Sequence, residues 1–183
     1  NLEVFDTDHA LREGGWQGVW NLDARIAQMD REGIAAEFIH NGDSRACGIF
    51  FQSSNTDYPM ELCQAGVKAY NRWLHATFGP EPDRLYLIGM QGGAPWRDVD
   101  EAIEELDWTA DHGFRATTVP GYVVYPGLPP LFDRYWDPYW ARCEERGIHL
   151  WMHAGQGERQ GELGAIFHRV RKQIEQEKGD LNE

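Results

Sequence analysis

The sequence predicts an α/β fold organised around a parallel sheet, because a helix, a glycine and a short apolar strand recur in that order three times with different residues. Parallel strands need helical crossovers, so this alternation is their signature. The doubly wound sheet and the (β/α) barrel share it. A dinucleotide-binding version lacks its fingerprint: Gly89, Gly92 and Gly93 in GMQGGAPW miss the GxGxxG spacing and run into Pro95 instead of a long helix. No GxxxxGKS or GxxxxGKT run offers a phosphate loop.

The first unit begins at Leu22. Leu22, Ile26, Met29 and Asp30 recur at helical spacing, Asn21 or Asp23 can cap the free amides of the first turn, and Gly33 suits the left-handed stop before a strand over Ile34–Ile39. A longer helix is predicted over Met60–Phe78, with Leu62, Val67, Tyr70, Trp73, Leu74 and Phe78 on one face. Gly79, Pro80 and Pro82 break it before a strand over Leu85–Met90. In the second unit, Asp98 and Glu101 have capping-box spacing and Ala102, Leu106, Thr109 and Ala110 form the inner stripe; Gly113 ends it, and Phe114–Val119 reads as a strand. The third unit places Pro138 in a first helical turn, Tyr139, Trp140 and Cys143 on the apolar side, Gly147 at the stop and Ile148–Met152 in a strand. A last helix is predicted from Leu163 to Lys178.

The 183 residues, 42% of them hydrophobic, suffice for one core but fall short of the roughly 250 residues of a complete eight-stranded barrel. With 17 Lys and Arg against 30 Asp and Glu the formal charge is −13, which disfavours nucleic acid; Arg169, Arg171 and Lys172 lie beside Glu175 and Glu177, as on a solvated helix. Cys47, Cys63 and Cys143 are widely spaced, the pattern of reduced thiols. No apolar run is long enough to span a bilayer, and NLEVFDTD is not a secretion signal, so a cytoplasmic location is the expectation.

In α/β barrels the reacting groups follow the strands, at their carboxyl ends. His153 closes the apolar run IHLWM, and Ala154 and Gly155 leave room around its ring, so it is read as a metal ligand or, alternatively, a packed or surface histidine. His40 ends the first strand and either contacts substrate or turns away from the mouth. Asp43 and Arg45 are candidate substrate contacts, unless they simply pair with each other. Asp6, Asp8 and His9 look metal-like but sit at a chain end; His75, His112, His149 and His168 are read as structural or surface residues. Strand parity puts His149, Trp151 and His153 on one face, with Trp151 below the candidate ligand. No GxSxG elbow is present, and Cys143 precedes Glu144 and Glu145, which disfavours a thiolate.

The ordered set WNLDARIAQMDREGIAAEFI, YNRWL, PDRLYLIGM, Ala102–Leu106, PPLFDRYWDPYWARCEERGI and HLWMHAG resembles the amidohydrolase-related family, which includes nonoxidative aromatic-acid decarboxylases and related hydrolases. The likeness spans about residues 16–157. It implies a partial (β/α)8 TIM-like barrel with strands two to five visible, a divalent ion (zinc or manganese), and His153 at the position of the ligand histidine that ends the fifth strand. The family's first-strand HxH pair has no match: Asp6 and Asp8 do not form it, and no strand follows the last helix to carry the later ligands.

The resulting expectation is an incomplete barrel domain: residues 1–20 a loop or extension, 21–157 the matching segment, and 158–183 a helix and tail. The resemblance implies a metal-dependent hydrolase acting on a small carboxylated or cyclic substrate. Its alternatives are a nonoxidative aromatic-acid decarboxylase and a catalytically silent structural piece. Pairing with a second copy is the structural alternative for a shortened barrel with open sheet edges.

Overall fold

The structure is a computed structural model that describes residues 16–40, 60–91, 96–119 and 128–152. A 3-10 turn over Gln17–Val19 leads into helix α1, Leu22–Glu32. There follow β1 (Glu37–Ile39), α2 (Met60–Phe78), β2 (Leu85–Gly89), α3 (Val99–Asp111) and β3 (Ala116–Val119). Last come α4 (Asp137–Arg146) and β4 (His149–Met152). The predicted helix over Leu163–Lys178 lies outside the described residues.

The helix signals act as expected, with one shared refinement. Asn21 accepts from Ala24 N–H and Asp98 from Glu101 N–H, each satisfying a free amide of a first turn. Gly33, Gly113 and Gly147 take φ of 72°, 80° and 64°. The apolar residue after each glycine then turns its N–H back into the helix: Ile34 to Met29 O, Phe114 to Thr109 O and Ile148 to Cys143 O. The strands therefore begin later than the apolar runs, at Glu37, Ala116 and His149.

The four strands pair in the order β1-β2-β3-β4, all parallel, with Phe38 beside Tyr86, Ile88 beside Ala116 and Thr118 beside Trp151. Their outer face packs on the helices: Ile39, Leu85 and Leu87 join Met29, Leu74, Phe78 and Phe114 in one core cluster. A second cluster joins Val67, Met90, Ala102 and Leu106 to Trp136, Tyr139, Cys143 and Ile148. The sheet curls away from the helices into half of a (β/α)8 barrel, with an inner face that carries Phe38, Tyr86 and Trp151.

Two stripes differ from expectation. On α2, Leu62 and Trp73 are more than 40% exposed, and the buried face is Gln64, Val67, Asn71, Leu74 and Phe78. On α1, Asp30 points outward and pairs with Arg84, whose guanidinium also donates to Ala35 O and Ile34 O. That arginine thus ties the helix end to the start of β2.

Candidate active site

Because all four strands are parallel, their carboxyl ends share one rim. His40 directly follows β1 there, and its ring centroid lies 6.1 Å from that of Trp151. Trp151 is 5.6 Å from Phe38, and Phe38 is 5.4 Å from Tyr86. These contacts place His40 on the inner side of the rim, above a floor of three aromatic rings, and Trp151 on the inner face that strand parity predicts for it. His153, Asp43 and Arg45 lie outside the described residues. So do Asp6, Asp8, His9 and His168.

The remaining described histidines sit elsewhere. His75 is in the last turn of α2 and His112 caps α3, so both lie at the helix ends that lead into strand starts, opposite the rim. There the His112 ring stacks on Trp108 at 3.9 Å and meets His75 edge-on at 4.9 Å. His149 opens β4, also at the amino end of a strand.

Three residues support the rim, Asn71, Gln91 and Glu105, and of these Asn71 and Glu105 escape sequence reasoning. Met90 N–H donates to Asn71 Oδ1 at 2.8 Å, and Asn71 Nδ2 donates to Met90 O at 3.1 Å and to Glu105 Oε1 at 2.9 Å. Gln91 N–H donates to Thr118 Oγ1, while its Oε1 accepts from Tyr139 Oη at 2.7 Å. Its Nε2 is buried with no hydrogen-bond partner among the described residues. The available signal was a polar residue inside an apolar stripe: Asn71 lies between Val67 and Leu74, and Glu105 between Ala102 and Leu106.

The seam between α2 and α3 holds two buried carboxylates, Glu101 and Glu105. Glu105, 2% exposed, also accepts from the Arg72 guanidinium, which lies 3.7 Å over the Trp108 ring. Near the rim end of α3, Glu101 accepts from Gln64 Nε2 and from the Arg97 backbone and guanidinium, with Lys68 Nζ at 3.9 Å. Burial works against the Glu101 carboxylate, yet the Arg97 hydrogen bonds and charge, with Lys68, keep its pKa below the ordinary value. Cys143 is buried, and burial pushes its thiol up to about 11. It is therefore a poor nucleophile, as expected, with burial as the leading cause.

Among the described residues no group of three or more His, Cys, Asp or Glu side chains converges as a metal site requires. His40 is the imidazole that the described rim supplies, and one imidazole is not a donor set for an ion. No described helix is long and apolar enough to cross a membrane.

A model of the family described as Amidohydrolase matches residues 5–173. No curated protein matches the chain.

Proposed function

The chain belongs to the amidohydrolase family, and from that premise we propose that the protein is a metal-dependent hydrolase of a small carboxylated or cyclic substrate. The match over residues 5–173 is the observation that carries this reading. The half-barrel supplies its setting, a rim of strand carboxyl ends above an aromatic inner face. The proposed cofactor is zinc or manganese with His153 as a ligand. When bound, such an ion activates water and polarises a carbonyl oxygen.

The chain's own residues take roles that need no ion. His40, with Asp43 and Arg45, is assigned to contact polar atoms of the substrate. Phe38, Tyr86 and Trp151 offer apolar surface to its hydrocarbon part and exclude water there. What supports the role of His40 is its location at a strand carboxyl end and beside Trp151.

Elemental mass spectrometry on purified, folded protein tests the reading, with His153→Ala as the control. The expected result is about one zinc or manganese ion per chain, lost in the variant, together with hydrolysis in a screen of small esters, amides and lactones. Folded protein without metal would sink the proposal, and carbon dioxide release from aromatic acids without hydrolysis would reassign it to decarboxylation.

A further inference from the structure

Asn71 is completely buried in the middle of α2, and its carboxamide links three elements. It accepts from the N–H and donates to the C=O of one residue, Met90, so a side chain does what a neighbouring strand would do. Met90 is the first residue past β2, so the clamp holds the chain where it leaves the sheet for the rim. Gln91, next in sequence, is anchored in turn by Thr118 and Tyr139.

Glu105 fixes which way round the carboxamide stands. Reversing it would turn the amide oxygen toward a carboxylate and leave the Met90 carbonyl facing another acceptor. Glu105 is itself held by Arg72, which rests on Trp108. The hydrogen bonds that link α2 and α3 to Met90 thereby run through a single asparagine.

We propose that Asn71 is a positioning residue of the rim, fixing the exit of β2 at Met90 and Gln91, and that Glu105 acts on the rim through Asn71. This rests on the hydrolase reading only in taking the rim as the active face. Residue-resolved amide exchange by NMR on the full chain tests it without reference to turnover. Asn71→Ala is expected to speed exchange at Met90 and Gln91 by about tenfold, with amides inside β2 changing less than about twofold. Glu105→Leu should reproduce that local pattern, although the hydrogen bond of Glu105 is to Asn71. Glu105→Gln, which keeps an acceptor for Asn71 Nδ2, should restore protection, and the double variant Asn71→Ala with Glu105→Leu should be no worse than Asn71→Ala at Met90. If Asn71→Ala does not fold, the two Glu105 variants carry the comparison. Unchanged protection at Met90, or faster exchange throughout the sheet, would overturn the proposal and leave Asn71 as a packing residue. Loss of the hydrolase reading by metal analysis would leave the exchange result standing.

Discussion

Phe38 and Trp151 stand on the two edge strands of the described sheet, yet their ring centroids are 5.6 Å apart. In a flat sheet, three strand spacings would separate these edges by about 14 Å. The meeting of the rings therefore measures how far the sheet curls, and it builds the floor beneath His40. A double-mutant cycle with Phe38→Ala and Trp151→Ala, followed by urea unfolding, should return a coupling of about 0.5–1.5 kcal/mol. Simple additivity would mean that the rings do not meet in solution.

The helix boundaries were legible because their signals are local. Asn21, Asp98, Gly33 and Gly147 act through bonds within a few residues of themselves. Strand starts were less legible: an apolar residue after a left-handed glycine suits both a strand and the return bond to the helix, and Ile34, Phe114 and Ile148 make that bond. The curl of the sheet depends on contacts between β1 and β4, more than a hundred residues apart, and no periodicity reports it.

Glu101 carries an acid-dependent part of the stability. Its folded pKa is depressed, so its contribution is full above the ordinary glutamate value of 4.5 and is lost as pH falls through the lower folded value. Glu101→Gln should cost about 1–3 kcal/mol at neutral pH, because Arg97 and Gln64 lose a charged acceptor. Urea unfolding across an acid pH series should show the two proteins converging as pH falls from 4.5 through the lower folded pKa of Glu101. A constant difference at every pH would assign the effect to shape instead of charge.

The site was only partly legible for a related reason. His40 could be placed because it follows a strand, and strand ends are visible in sequence. Asn71 and Glu105 were not, since their partners lie 19 and 34 residues from Asn71 in the chain. A polar residue in an apolar stripe looks solvated until the group that satisfies it is known.

Cys143 should be the slow cysteine. Burial raises its pKa from 9.0 to about 11, which lowers the thiolate fraction near pH 8 by about a hundredfold. The neutral thiol adds stability that is full below pH 9.0 and is lost as pH rises through about 11. Iodoacetamide labelling at pH 8, with adducts located by mass spectrometry, should spare Cys143 in the native protein and modify it after unfolding. Rapid native labelling would mean that the second core cluster opens readily.

Gly147 offers a test of the helix stop free of packing effects. Its φ is 64°, and a Cβ added there would meet nothing within 4 Å, so Gly147→Ala should cost about 1 kcal/mol for backbone conformation alone. Gly147→Asn should recover part of that, because asparagine tolerates the left-handed region better. Gly79 is the contrasting case: a Cβ there would lie 2.5 Å from His75 O and 2.8 Å from His75 Nδ1, so the end of α2 must move to admit it. Gly79→Ala is therefore expected to cost more than Gly147→Ala, at about 1–3 kcal/mol. Urea midpoints at unchanged slope give the comparison. A neutral Gly147→Ala would show that α4 can end without the left-handed turn, and Ile148 N–H would then need an acceptor other than Cys143 O.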